Sequence, residues 1–177
     1  MLLLSACEGR SPKLVNHQAT IHTTIADIYT LLREKKQTKK FNQQYIHPKH
    51  GLHVAYRLGA YDSTKKISKI DFKKLDNFPL YASLGHVNVM PRDVKWRDVT
   101  FDCMAEKWSD KGFFLHKVEK TTILNIDKTK ETSKGQTIQK DLFKFVDTVN
   151  GLAFYLKYID GRWYIVILDE ISGNCDA

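Results

Sequence analysis

The chain has 177 residues, which is long enough for one domain with a buried core. Its 42% hydrophobic and 11% aromatic content excludes a disordered chain, and no apolar run reaches the roughly 18 residues of a membrane-spanning helix. The net charge of +8 favours anionic partners such as lipid headgroups, polyanionic glycans or nucleic acid, with a solvated surface as the plainer alternative.

The first residues resemble a bacterial lipobox, because Leu4-Ser5-Ala6 precedes Cys7 and a polar stretch follows it. In such a motif the cysteine is lipidated. Only six residues precede Cys7, and they lack the basic segment of a secretory signal. We therefore interpret residues 1–19 as a truncated lipoprotein signal and tether, with a start codon assigned too late. The expected location is the bacterial cell envelope, anchored to a membrane on the periplasmic or surface side; the alternative is an accidental match.

Residues 20–177 are predicted to form a single α+β domain that begins with helices. Apolar residues recur at three- and four-residue spacing from Ile21 to Leu32, which predicts a helix starting at about Thr20 and capped by Thr23 or Thr24.

The middle of the chain is less regular. A second, shorter helix is expected over about residues 38–46, and a short strand begins at Leu52 and ends before Gly59. The lysine-rich residues 61–76 have apolar positions that suggest a helix around residues 63–75. No state is assigned to residues 78–108.

The second half of the chain is rich in β-branched and aromatic residues and predicts strands. Strands are expected over Phe113–Ile126 and Gln136–Val149, joined by a polar loop. Asn150-Gly151 and Asp160-Gly161 are typical of two-residue hairpin turns. The predicted cross-strand pairs are Phe143–Tyr158, Phe145–Leu156, Tyr158–Trp163, Leu156–Ile165 and Phe154–Ile167.

This register gives the sheet one nearly continuous apolar face, interrupted by two carboxylates. Asp147 is expected opposite Phe154, and Asp169 opposite Leu152, toward the same end of the sheet. Both carboxylates either lie at the solvated rim or line a cavity, since a buried carboxylate is costly unless it is paired or hydrogen-bonded.

The element order and the Asp160-Gly161-Arg162-Trp163-Tyr164 hairpin resemble the NTF2-like (cystatin-like cone) superfamily over about residues 20–171. Within it, the chain is similar to uncharacterised secreted or lipoprotein members from Bacteroidetes-type bacteria. The resemblance implies N-terminal helices packed on a curved antiparallel sheet of about four to six strands. It also implies a pocket in which enzymes of the superfamily use an Asp, His or Tyr as acid or base. The matching candidates in this chain are Asp147, Asp169, Tyr158 and His116.

The cysteines suggest one disulfide. If Cys7 carries lipid, Cys103 and Cys175 remain in a compartment that permits disulfides, and a bridge would hold the C-terminal tail. Two unrelated thiols are equally compatible with the sequence.

No metal or cofactor is expected. His47, His50 and His53 have a spacing found in zinc sites, but Pro48 and Gly51 place them in a turn without a nearby acidic or cysteine ligand. A glycine-rich phosphate loop and a G-x-S-x-G motif are absent from the sequence.

These features favour a lipid-anchored envelope domain that binds a ligand, an anionic envelope component or a partner protein without catalysis. An envelope location would exclude nucleic acid as a partner. The alternative is a small pocket enzyme, an isomerase, hydratase or hydrolase. It would use Asp147 or Asp169 as general base with Tyr158 or His116.

Overall fold

A computed structural model of the chain describes residues 17–59, 61–77, 79–119, 142–173 and 175. Within them, two α-helices come first, short strands and 3₁₀ segments follow, and long strands come last, so the fold is α+β as predicted. The helices are α1 (His17–Glu34) and α2 (Thr38–Tyr45), and the 3₁₀ segments are Phe72–Asn77 and Pro79–His86. The strands are β1 (Leu52–Leu58), β2 (Tyr61–Ile67), β3 (Lys95–Trp96), β4 (Phe101–Asp102), β5 (Lys107–Trp108), β6 (Phe113–Val118), β7 (Leu142–Asp147), β8 (Leu152–Ile159) and β9 (Arg162–Asp169).

The main sheet is open and contains seven strands in the order β2-β1-β9-β8-β7-β6-β3. Most neighbours are antiparallel, but β1 pairs with β9, and β3 with β6, in parallel. Strands β4 and β5 form a separate hairpin. The sheet thus has more strands than the expected four to six, because β2 and β3 come from segments whose sequence did not predict strands.

The prediction of a helix over residues 63–75 is wrong. Its first part belongs to β2, which pairs with β1 from Leu58–Tyr61 to Leu52–Ile67. All seven residues of β2 are exposed or half-buried, so this strand shows no alternation of apolar and polar residues. Lysines are common on such edge strands, because they discourage pairing with other chains.

The long helix is confirmed, although it begins at His17 rather than Thr20. The expected caps therefore lie inside α1, where the Thr24 hydroxyl donates to the Thr20 carbonyl. The apolar stripe of α1 packs on one face of the sheet. Its fully buried members are Ile21, Ile25, Ile28 and Leu32, and the facing sheet residues include Phe145, Phe154, Leu156, Ile165 and Leu168.

The turn between β7 and β8 has four residues, 148–151, rather than the two predicted. Asp147 pairs with Leu152 across it, and Phe145 pairs with Phe154. The predicted partners, two residues further along β8, are therefore wrong. A shift by two residues leaves every side chain of β7 on its predicted face.

The turn between β8 and β9 has the predicted register at first, but a β-bulge then shifts it by one residue. Phe154 consequently pairs with Leu168 instead of Ile167. A one-residue shift moves side chains to the other face of a sheet. Asp169 therefore lies on the face opposite to Asp147, which corrects the prediction that both interrupt one face. The confirmed pairs are Tyr158–Trp163 and Leu156–Ile165.

The C-terminal tail lies against the β4–β5 hairpin. Cys103, in the turn of this hairpin, forms a disulfide with Cys175, with 5.6 Å between the two Cα atoms. Gly173 packs directly on Trp108 of β5, where a β-carbon would lie 2.9 Å from the indole ring. The hairpin and the tail are thus tied together by a covalent bond and by a close contact.

Replacing Cys175 with serine is expected to lower the free energy of unfolding by about 2–4 kcal/mol, because the bridge constrains a long stretch of unfolded chain. The two cysteines are 72 residues apart. Urea unfolding with and without reductant measures the effect. Reductant should lower the midpoint of the wild type and of a Cys7→Ser control, and should leave Cys175→Ser unchanged. A wild-type midpoint that ignores reductant would contradict the prediction.

Candidate functional site

Asp147 ends β7 beneath α1 and is fully buried. Its Oδ1 atom accepts the backbone N–H groups of Val149 and Asn150, each at 2.8 Å. Its Oδ2 atom accepts the Tyr29 hydroxyl and the Asn150 side-chain amide, each at 2.5 Å. Four donors therefore satisfy this buried carboxylate, which is the condition under which such a group can be tolerated.

Asn150 extends the Asp147 network to the loop before β3. The Asn150 side-chain oxygen accepts the backbone N–H groups of Asn88 and Val89 at 3.0 Å, and its amide donates to the Val89 carbonyl at 2.9 Å. One carboxylate and one amide thus connect α1, the β7–β8 turn and this loop.

Tyr29 stays protonated in this network. Burial raises its pKa well above the usual range, and the negative charge of Asp147 and the hydrogen bond to it act in the same direction. A general base has to reach a proton of the substrate within hydrogen-bond distance. Asp147 has no exposed atom and holds four internal donors, so the geometry makes it a structural acceptor.

Tyr158 lies at the other end of the sheet from Asp147. It pairs with Trp163 next to the Asp160-Gly161 turn, and the two rings meet edge to face with centroids 5.3 Å apart. The structure therefore does not bring the two predicted pocket candidates of this face together.

Asp169 belongs to an ion pair on the opposite face of the sheet. Its Oδ2 atom is 3.0 Å from the Lys144 Nζ atom and accepts the Ser172 hydroxyl at 2.6 Å. Its Oδ1 atom accepts the backbone N–H groups of Ile171 and Ser172. Burial lowers the pKa of Lys144, but the charges of Asp169 and Tyr155 and the hydrogen bonds to them together outweigh this effect, so the net shift is upward. This carboxylate fixes the turn after β9.

His116 lies on the same face, opposite Lys144 on the adjacent strand. Its Nε2 atom is 3.4 Å from a carboxylate oxygen of Asp98. Burial lowers its pKa, Asp98 opposes this shift, and the charge of Lys144 adds to it. Its buried Nδ1 atom has no hydrogen-bond partner among the residues that the structure describes. His116 is therefore separated from Asp147 by the thickness of the sheet.

Sequence reasoning missed Glu170, the residue after β9. The Glu170 carboxylate accepts the Ser83 hydroxyl at 2.6 Å and the Ser83 backbone N–H at 3.3 Å. Burial raises its pKa from the usual 4.5 to about 7, although the Ser83 bonds act against this shift. A single acidic residue after a strand gives no sequence signal for such a contact, because its partner is 87 residues away.

A small groove lies between α1 and α2, with a volume of about 150 Å³. Ligand sites usually enclose roughly 300–1,000 Å³, so the groove is smaller than a usual ligand site. Burial and the charge of Asp27 raise the pKa of Tyr45, which lines this groove, to about 12, so Tyr45 keeps its proton at neutral pH.

The histidines of residues 47–53 do not form a metal centre with one another. His47 Nδ1 accepts the backbone N–H groups of Lys49 and His50, each at 3.1 Å, and so stabilises its own turn. Among the residues that the structure describes, no group of three or more potential ligands is close enough to hold a metal ion.

Cys7 lies outside the described residues, as do residues 120–141, where the predicted strands Phe113–Ile126 and Gln136–Val149 meet their loop. In the segments that the structure covers, no helix is both long and apolar enough to cross a bilayer. Comparisons of the chain with known protein families, with characterised proteins and with solved structures found no match.

Replacing Tyr29 with phenylalanine is expected to lower the free energy of unfolding by about 1–2 kcal/mol, because it removes one donor from a buried carboxylate. Chemical denaturation measures the change. Tyr61→Phe is the matched control, since it deletes the same hydroxyl from a side chain that is 79% exposed. Equal stability of the two variants would show that the Tyr29–Asp147 bond contributes nothing.

The raised pKa of Glu170 predicts a pH-dependent stability. Below about pH 4.5 the carboxyl is protonated in both states. Above that pH the unfolded chain releases the proton, while the folded chain retains it until about pH 7. Stability is therefore lost as the pH rises through this window, by on the order of 3 kcal/mol.

Glu170→Gln mimics the protonated group, so we expect it to reduce the loss of stability between pH 4.5 and 7.5. Unfolding curves at several pH values measure the effect. Glu119→Gln, at an exposed position, serves as the control and should keep the wild-type profile. Parallel profiles for the wild type and Glu170→Gln would refute the assignment.

Proposed function

We propose that the chain is a lipid-anchored domain of a bacterial cell envelope that binds a partner without catalysing a reaction. One observation carries the proposal: Asp147, the carboxylate beneath the helices, is fully buried and accepts four hydrogen bonds from the chain itself. A catalytic carboxylate has to keep an accessible oxygen for its substrate. The arrangement at Asp147 serves the fold instead.

We further propose that the domain is an NTF2-like cone with a filled interior. Two N-terminal helices against one face of an open, mostly antiparallel sheet support this proposal. Large side chains occupy the space where a pocket would lie. Among them, Phe145 and Phe154 are fully buried, with ring centroids 5.1 Å apart, and Tyr29 packs edge to face on Phe145.

The anchor in this proposal is the lipobox cysteine, Cys7. Residues 8–16 separate it from the start of α1, and a segment of that length spans at most about 30 Å. The domain would then stay close to the bilayer surface. The Cys103–Cys175 disulfide supports an oxidising compartment outside the cytoplasm.

When the chain is expressed from its own gene with the upstream DNA included, we expect it to incorporate labelled fatty acid and to fractionate with membranes. Cys7→Ser should abolish the label, because the thiol is the acceptor. The control is the double variant Cys103→Ser/Cys175→Ser, which removes the other two cysteines and should keep the label. An unlabelled wild type, or a labelled Cys7→Ser chain, would overturn the anchor.

A further inference from the structure

Helix α1 runs along the sheet toward the end that carries the turn 148–151. The first part of α1 lies near the other end, where the Trp163 indole N–H donates to the Thr20 hydroxyl at 3.0 Å. Further along α1, Tyr29 contacts Asp147 beside the turn 148–151. The α1–α2 corner, which begins one helical turn after Tyr29, therefore lies at the end of the sheet marked by this turn.

The β1–β2 hairpin projects past the same end. Ala55 pairs with Asp169, the last residue of β9. Strand β1 continues three residues further to Leu58, where the chain turns back toward Tyr61. The tip of the hairpin consequently extends beyond its neighbouring strand.

Exposed apolar side chains are concentrated at this end. Among the described residues, six large hydrophobic side chains are exposed, and at least four of them lie here. Two occupy the hairpin tip, one lies in the β7–β8 turn, and one belongs to the loop that Asn150 binds. Their exposed fractions are 59% for Leu58, 79% for Tyr61, 46% for Val89 and 37% for Val149.

The α1–α2 corner adds a dense positive charge. Five of the eight residues from 33 to 40 are cationic, and all five are exposed. The single acidic residue in this segment, Glu34, accepts a hydrogen bond from Gln37. None of the five cations forms a salt bridge within the described chain. The cations are Arg33, Lys35, Lys36, Lys39 and Lys40.

We propose that this end of the domain docks onto the anionic surface of a lipid bilayer. The corner from 33 to 40 would lie over the headgroups, and Leu58 and Tyr61 would enter the interfacial region. The inference deepens the proposed function, because it gives the anchored domain a defined orientation on its membrane.

The chemistry of this end favours a bilayer over a protein or a glycan. The apolar side chains project from three separate loops, whereas protein interfaces usually present a contiguous apolar patch. Tyrosine is enriched at membrane interfaces, and clustered lysine and arginine are attracted to anionic lipids. A polyanionic glycan would engage the cations and leave the apolar tips unused.

The test uses the full chain produced without lipid at Cys7, so that a fatty-acid anchor contributes nothing. Flotation with vesicles measures binding to phosphatidylcholine alone and to phosphatidylcholine with about 30 mol % phosphatidylglycerol. We expect binding to the anionic vesicles only, with release at high salt because the charges are then screened. Equal binding to both vesicles, or none to either, would overturn the proposal.

Two charge-matched variants test the orientation, since each removes three exposed cations. The corner variant should bind anionic vesicles at least about tenfold more weakly than the wild type, and the control should bind as the wild type does. Equal weakening of both would mean that only net charge matters and would overturn the proposal. The variants are Arg33→Gln/Lys36→Gln/Lys39→Gln at the corner and Lys49→Gln/Lys66→Gln/Arg162→Gln at the end that carries Asp160-Gly161.

A second pair tests the apolar tips. Leu58→Ser/Tyr61→Ser should weaken vesicle binding several-fold, while Trp96→Ser, at a side chain that is 45% exposed and contacts His22 near the start of α1, should not. Thermal unfolding confirms that each variant is folded. If the corner cations instead retain the chain on a heparin column while vesicles do not bind it, the partner is a glycan and the proposal fails. Loss of fatty-acid labelling at Cys7 would overturn the anchor but leave these results unaffected.

Discussion

The buried carboxylate of Asp147 is the constraint on which the arrangement of this domain depends. A carboxylate that is shielded from water must accept several hydrogen bonds, because a single hydrogen bond does not offset the free energy of removing the charge from water. Here the donors come from α1, from the turn after β7 and from Asn150, which in turn binds the loop at Asn88. These elements are far apart in the sequence, so satisfying one side chain fixes their relative positions.

The same carboxylate explains the length of the β7–β8 turn. A two-residue loop at Asn150-Gly151 would extend β7 beyond Asp147 and place the backbone N–H groups of 149 and 150 in the hairpin itself. In the wider turn those N–H groups bond the Asp147 side chain. The longer turn thus supplies two of the hydrogen bonds that the buried charge requires. Tyr29 supplies another and keeps α1 in contact with the end of β7.

Features set by local sequence were predictable. The stripe from Ile21 to Leu32 and the register at Asp160-Gly161 depend on residues close in the chain, and both agree with the structure. The length of the turn after β7 depends on the burial of a carboxylate, which only the assembled fold reveals. Strand β2 has no buried residue, so hydrophobic periodicity could not identify it.

The β-bulge had the largest effect on the candidate site. One additional residue in β9 moved Asp169 to the opposite face, beside Lys144 and His116. Both faces of β9 are buried, so its sequence is continuously apolar. Such a sequence does not show where an additional residue is inserted. The two carboxylates predicted to interrupt one face are therefore separated by the sheet, and each is hydrogen-bonded on its own side.

The positions of the carboxylates also affect the charge of the molecular surface. Asp147, Asp169 and Glu170 are directed to internal hydrogen bonds, and Asp62 and Asp110 pair with nearby cations. Residues 33 to 40 contain one acidic residue against five cations, whereas the whole chain carries 20 acidic residues against 28 basic ones. Uncompensated cations close together repel one another, and an anionic surface relieves that repulsion. The network that stabilises the interior and the charge displayed at the α1–α2 corner are in this way two consequences of how the acidic residues are distributed.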